Sequence, residues 1–218
     1  MYNNKLIKER FYEDNDNLII DQIEEKIVLL HLDSIFSELP SGSIIVGGFI
    51  RDIITGKTNS VPDIDIVVPD HSYTIGKNLA EKYSGKFLVL DSNRNIVRII
   101  FKKFIIDIAN QTENSLIDDL KSRDFTINAI SFSLDSRLIL DPSNGINDIM
   151  NSILKSYDFQ NLLKDPLRIL RCFRFSAELN FTIDKNLFEF INLNKNKLNS
   201  VAPERINYEL KKIIKSKE

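Results

Sequence analysis

Apolar residues recur at helical spacing from Leu18 through Ile19, Ile23, Ile27 and Leu30 to Ile35, with Glu24, Glu25 and Lys26 between them. This pattern predicts a helix over 18–38 that Pro40-Ser41-Gly42 ends. Residues 1–16 lack any such period and read as a weakly ordered lead-in. Ser43–Val46 reads as a short buried strand, Gly47-Gly48 as a turn, and Phe49–Thr55 as a helix stopped by Gly56. A loop over Asn59–Pro62 leads into an apolar strand, Ile64–Val68. A helix over His71–Tyr83 follows, then three strands rich in Ile, Val and Phe: Phe87–Leu90, Ile96–Phe101 and Phe104–Ala109. Leu116–Lys121 and Phe125–Ser133 read as helical, and Asp141-Pro142-Ser143-Asn144-Gly145 as a turn cluster. Beyond it no strand pattern is found, and residues 146–218 read as a succession of helices. The expected fold class is therefore α/β (α+β), divided into an α/β domain over 1–138 and an all-helical domain over 139–218.

Charge sharpens that division. Residues 1–150 carry 16 basic and 23 acidic side chains, whereas residues 151–218 carry 13 and 8. An acidic part suited to cations is followed by a basic part suited to phosphates, although solvated helix faces would cluster charge as well. The single cysteine, Cys172, excludes an intramolecular disulfide and a cysteine-based zinc site. His31 and His71 have no metal-ligand spacing. No signal peptide or membrane-length apolar run is visible, so a cytoplasmic protein without a membrane partner is expected.

The candidate chemistry begins at Asp63 and Asp65. Side chains alternate across a strand, so acids at i and i+2 share one face. Paired carboxylates stay ionised together only with a cation between them, and a hard cation such as Mg²⁺ recruits substrate phosphates as further ligands. Gly47 and Gly48 would let the backbone pass close to a bulky anion, and Arg51 lies one turn away. The competing reading is an exposed strand with Arg51 paired to Asp52 or Asp63. Asp107 lies within the apolar run Phe104–Ala109 and needs a partner there. It either completes a three-carboxylate cluster with Asp63 and Asp65 or pairs with Arg98 or Lys103 across a hairpin.

Two further segments carry convergent polar groups. Arg123, Asp124 and Asn128 recur within a turn and a half of an expected helix, where they suit sugar hydroxyls and phosphates or simply form a capped polar face. Asp165 precedes Pro166 as a natural N-cap, and Arg168 shares its face. That pair is able to read a nucleobase edge. Arg171 lies on the same side and Arg174 is rotated away, an arrangement a plain basic amphipathic helix explains equally.

The order of these motifs resembles one family. Gly47-Gly48-x-x-Arg51-Asp52 with Asp63-x-Asp65, Arg123-Asp124-Phe125-Thr126-Ile127-Asn128-Ala129, Asp141-Pro142 with Gly145-x-x-Asp148, Asp165-Pro166-Leu167-Arg168-Ile169-Leu170-Arg171 and Pro203-Glu204-Arg205-Ile206 are similar to the class II tRNA nucleotidyltransferase/bacterial poly(A) polymerase family, cyanobacterial members above all. The resemblance implies a polymerase-β-type nucleotidyltransferase head with a mixed or antiparallel sheet, followed by a helical neck. It implies that Asp63 and Asp65 bind catalytic Mg²⁺, that Arg123, Asp124 and Asn128 recognise ribose and phosphates, and that Asp165 and Arg168 hydrogen-bond the base of CTP or ATP. Gly47, Gly48, Arg51, Arg171 and Arg174 are expected to complete the nucleotide site, and Asp107 to join the catalytic acids. The implied activity is template-independent addition of CMP, AMP or both to a tRNA 3′ end with release of pyrophosphate. Poly(A) synthesis, or nucleotide and RNA binding without catalysis, are the alternatives.

The chain departs from the family pattern in four places. Lys164 replaces the acid that usually precedes Asp165, and Ser122-Arg123 replaces a double arginine. The segment between Ala109 and Leu116 is short where CCA-adding members often carry a longer loop, which favours CC addition or another restricted activity. The sequence ends near the end of the expected neck, where family members continue into body and tail helices, so either a fragment or a minimal protein with weak tRNA grip is expected.

Overall fold

The computed structural model describes residues 15–57, 61–111 and 115–216. Most of the predicted lead-in and part of the loop over 59–62 lie outside these residues. The first helix is two: α1 (Asn15–Leu29) and α2 (Asp33–Phe36). His31 separates them in a left-handed conformation, φ 57°, which no helix continues through.

Strand β1 (Ile44–Val46) leads through Gly47 into α3 (Gly48–Ile54), and β2 (Asp63–Val68) follows. Helix α4 (Ser72–Lys82) precedes β3 (Lys86–Asp91), β4 (Ile96–Ile100) and β5 (Ile105–Asn110). After α5 (Leu116–Lys121) come β6 (Ser131–Ser133) and β7 (Ile139–Leu140). These seven strands form one sheet in the order β3-β4-β5-β2-β1-β6-β7. Every pairing is antiparallel except β2 with β5, so the sheet is mixed, as expected. The crossover that makes β2 and β5 parallel contains α4 and the β3–β4 hairpin.

Alternation along the strands gives the sheet two different faces. On the back, Ile45, Ile64, Ile66, Val97, Ile99, Ile106 and Ile108 are buried in the main core, under α1, α3 and α4. Truncating one of these, for example Ile66→Ala, costs about 2–5 kcal/mol. The front carries Asp63, Asp65 and Asp107 instead. There α5 covers only the β1–β2–β6 part, through a small cluster of Val46, Leu120 and Ala129 joined by Val67.

Helical structure dominates the rest: α6 (Gly145–Met150), α7 (Gln160–Lys164), α8 (Leu167–Leu179), α9 (Lys185–Asn194) and α10 (Pro203–Lys215). Two short strands, β8 (Ile153–Leu154) and β9 (Thr182–Ile183), pair in parallel among them, contrary to the all-helical reading. Each is only two residues long, too short to show a period in sequence. The sheet's last strand, β7, lies just beyond residue 138. Phe125–Ser133 also differs from the expected helix: Thr126–Asn128 is a single 3₁₀ turn and β6 follows. Its apolar residues are buried between sheet and helices, and tertiary packing rather than helical period places them. No helix among the described residues is long and apolar enough to cross a membrane.

Candidate active site

A cleft of about 920 Å³ lies between the front of the sheet and α8. Its lining includes Gly48, Arg51, Asp63, Asp65, Arg123, Asp124, Asn128, Asp165, Arg168, Arg171 and Arg174. Eleven of the thirteen predicted site residues thus line it, and Gly47 adjoins two of them, Asp65 and Arg123. Asp107 sits next to it in the sheet.

The acids are set by register. Asp65 pairs with Val46 on one side and Asp107 on the other, and Asp107 is opposite Arg98 on β4. Burial pushes the Asp65 carboxyl above its ordinary value; Arg123 opposes this, and Asp107 and Asp63 add to it. No hydrogen bond or ion pair to Asp63 or Asp65 occurs among the described residues. Two hard oxygen donors with unmet negative charge fit a divalent cation. Asp107 is different. Arg98 clasps it in a fork, Nε to Oδ1 and Nη2 to Oδ2 at 2.7 Å each, which raises the Arg98 pKa. The hairpin alternative is therefore realised. No group of three or more His, Cys, Asp or Glu suited to a metal occurs among the described residues, so the expected three-acid metal cluster is not formed.

Gly47 is required by geometry. Its φ is 79°, and a Cβ there would stand 2.8 Å from Arg123 Nη1 and 3.6 Å from Asp65 Oδ2. The glycine lets the arginine approach the acid. Arg123 Nη1 reaches the Asn128 carbonyl at 3.4 Å, and its Nε is buried with no hydrogen-bond partner among the described residues.

The opposite wall is a continuous network. Arg51 donates to Asn128 Oδ1 at 2.5 Å and to Asp52 Oδ1 at 2.6 and 2.8 Å, so the Asp52 pairing of the competing reading is present. Asn128 Nδ2 donates to Asp124 Oδ1 at 2.9 Å, and Arg171 donates to Asp124 Oδ2 at 2.7 Å. Burial pushes Asp124 up, but Arg171 and the Asn128 hydrogen bond outweigh it and hold the carboxyl below its usual range. The turn is gripped from beneath: Asp148 accepts from Thr126 Oγ1 at 2.7 Å and Lys155 Nζ at 2.8 Å, and a Cβ on Gly145 would run into the Thr126 carbonyl.

Asp165 accepts the Leu167 N–H at 3.3 Å and an ion pair from Arg205 at 2.8 Å. Arg168 Nη1 donates to the carbonyls of Ser122 and Asn161 at 3.0 Å. Lys164 Nζ donates to Asn161 Oδ1 at 2.8 Å, which anchors the unexpected lysine to that side chain. Arg174 is buried, with its Nε 2.7 Å from Glu209 on α10.

Sequence reasoning misses Phe175, Asn161 and the placement of Arg205. The Phe175 ring has the guanidinium carbons of Arg174, Arg51 and Arg171 at 4.1, 4.9 and 5.3 Å, contacts of cation–π type. Its spacing from Arg171, one helical turn, is the available signal. Asn161 is buried and ties the carbonyls of Lys121 and Arg123 to α7. Nothing local distinguishes it from any other asparagine.

Solved structures share this fold. A solved structure described as a complex of CCA-adding enzyme with ATP matches 93% of the chain and 51% of its own, with TM-score 0.77 and 28% identity. A tRNA nucleotidyltransferase complexed with a primer tRNA and an incoming ATP analog matches 79% and 55%, with TM-score 0.68 and 26% identity. The fold is the head and neck of a nucleotidyltransferase. Residues 43–155 match the family model described as poly A polymerase head domain, and residues 180–218 match one described as probable RNA and SrmB-binding site of polymerase A. The chain belongs to the poly(A) polymerase head-domain family. The CC-adding tRNA nucleotidyltransferase of Synechocystis sp. is 35% identical over 82% of this chain and 43% of that protein. The A-adding enzyme of Deinococcus radiodurans is 32% identical over 81% and 41%. The chain spans less than half the length of these relatives.

Proposed function

We propose that the chain carries the nucleotide-binding and catalytic part of a template-independent RNA nucleotidyltransferase, which transfers CMP, AMP or both from CTP or ATP to the 3′ end of tRNA in the cytoplasm. The single observation that carries this reading is the charge division of one cleft. Asp63 and Asp65, without an ion pair among the described residues, lie on one side with Arg123 beside Asp65, and Arg51, Arg168, Arg171 and Arg174 line the rest. A triphosphate spans such a division. Its phosphates face guanidinium forks, and its reacting phosphorus lies near the acids.

Asp63 and Asp65 would hold a divalent cation, Mg²⁺ by donor type. When bound, such an ion neutralises phosphate charge and acidifies an attacking hydroxyl. The chain's own residues then bind and orient. The Asp124–Asn128–Arg51 network fixes the arginines before nucleotide arrives, and Asp165 with Arg168 offers acceptor and donor groups to a base edge. The RNA 3′-hydroxyl attacks the α-phosphorus and pyrophosphate departs. Asp107, held by Arg98, acts beside Asp65 as an electrostatic neighbour. CC addition is the favoured specificity, because the segment after β5 is short and the Synechocystis relative is a CC-adding enzyme.

Incubation with labelled CTP or ATP, Mg²⁺ and tRNA lacking its 3′ terminus tests the reading. Extension by one to three nucleotides is expected, with none for Asp65→Ala. Long homopolymeric products would instead mark a poly(A) polymerase, and nucleotide binding without incorporation would mark a binding module.

A further inference from the structure

Three successive carbonyls at the end of α5, those of Lys121, Ser122 and Arg123, accept no main-chain N–H among the described residues. A helix end leaves such acceptors over, and burial makes them costly unless donors are supplied. Two side chains from later helices supply them. Asn161 Nδ2, on α7, donates to the Lys121 carbonyl at 2.7 Å and to the Arg123 carbonyl at 3.3 Å. Arg168 Nη1, on α8, donates to the Ser122 carbonyl between them at 3.0 Å, and to the carbonyl of Asn161 itself at 3.0 Å.

These contacts meet at Asn161. It is buried, and each of its polar atoms is engaged: its N–H donates to the Asp158 carbonyl at 3.1 Å, and its Oδ1 accepts from Lys164 Nζ at 2.8 Å. An ammonium only donates and a carbonyl only accepts. Lys164 therefore fixes which way the amide faces, with its oxygen toward the lysine and its nitrogen toward the carbonyls. The effect reaches the cleft through Arg168. One nitrogen of that side chain is committed to two main-chain acceptors, which sets the tilt of the guanidinium. Its Nε and Nη2 have no hydrogen bond among the described residues, although Arg168 lines the cleft. A guanidinium is a rigid planar fork, so its free donors serve recognition only when that plane is fixed.

We propose that Asn161 is a positioning residue for base selection. It holds the 121–123 strip and Arg168 in one frame, and it acts on substrate only through Arg168. The free donors of Arg168 then meet a base edge that offers acceptors, as the ring nitrogen and carbonyl oxygen of cytosine do. They oppose an edge that presents an N–H at the same ring position, as uracil does. Lys164 belongs to the same device, because it keeps the amide from turning over. This assignment rests on the nucleotidyltransferase reading and deepens it, from the group that reads the base to the residue that aims that group.

Asn161→Asp tests it, since the change keeps the shape and the Lys164 partner but removes both N–H donors. Affinities for CTP and UTP are measured by calorimetry, and kcat and KM by incorporation into tRNA lacking its 3′ terminus. Preference for CTP over UTP is expected to fall by at least about tenfold, as when a site built to hydrogen-bond its substrate loses its alignment. The change should come through a higher KM for CTP with kcat little altered, the mark of lost binding. Leu162→Ala is the control: this neighbour on α7 is fully buried and apolar, so its loss loosens the same helix without touching these hydrogen bonds. It should melt at least as early as Asn161→Asp yet keep the wild-type preference. An unchanged preference in Asn161→Asp, an equal loss in Leu162→Ala, or no preference in wild type would overturn the assignment. A wild type that binds CTP over UTP but incorporates neither sinks the nucleotidyltransferase reading instead, and the affinities alone then decide on Asn161. If Asn161→Asp does not fold, Asn161→Ser replaces it in the same comparison.

Discussion

Asp65, half-buried, and Asp124, buried, face the same cleft, yet they are tuned in opposite directions. Asp65 is pushed above its ordinary value by burial and by Asp107 and Asp63, with Arg123 the main opposing charge. Asp124 is also penalised by burial but is held low by Arg171 and Asn128. One carboxylate carries its cation within the fold, and the other has a deficit that, under the proposed function, an external cation would fill. The wall around Asp124 is preorganised by its own hydrogen bonds, whereas the wall around Asp65 stores unfavourable charge for use.

The largest break in this contrast is at Asp65 itself. Asp65→Ala should lower transfer by at least about a thousandfold, on the scale of removing metal-centred stabilisation, while circular dichroism shows an unchanged fold. Asp124→Ala should do the converse damage. It leaves Arg171 without its partner, so stability should fall by about 3–5 kcal/mol, read from urea denaturation. Divalent cation sharpens the comparison next. At one hundred times its dissociation constant, Mg²⁺ should stabilise wild type by about 2.7 kcal/mol and leave Asp63→Asn/Asp65→Asn unmoved, as scanning calorimetry would record.

Acidity separates the pair without mutation of the cleft's shape. The raised Asp65 value means that its neutral form is favoured by folding; that contribution is present at low pH and is lost as pH rises through the raised value. Asp65→Asn should therefore melt higher than wild type at pH 7 in the absence of metal, and the difference should vanish in acid. The lowered Asp124 value has the opposite sign. Its contribution is full above the ordinary carboxylate value of 3.8 and is lost as pH falls through the lowered one. The smallest expected effect is at Arg98. Arg98→Met releases Asp107, leaves more negative charge beside Asp65, and should weaken transfer by about tenfold, roughly 1.4 kcal/mol, in kinetics at saturating nucleotide.

The parts of this contrast are unequally legible in sequence. Asp63 and Asp65 are readable because period-two alternation fixes which side chains share a face. Asp107 is readable only as a choice, since a carboxylate in an apolar strand needs a partner that the strand's own residues do not name; Arg98 is that partner. The Asp124–Arg171 pair joins residues far apart in the chain, and no local spacing announces it. Phe125–Ser133 misleads because its apolar residues satisfy a helical count while actually filling the junction between sheet and helices. Strands of two residues, such as β8 and β9, fall below the length at which any alternation is visible.

Arg51 comes from the helix that follows the first sheet strand, while Arg171 and Arg174 come from α8, yet all three lean on one phenyl ring. The ring acts as a shared bearing. Arg171 and Arg174 share the ring's own helix, so any parting of that helix from the sheet would first have to separate Arg51 from the ring.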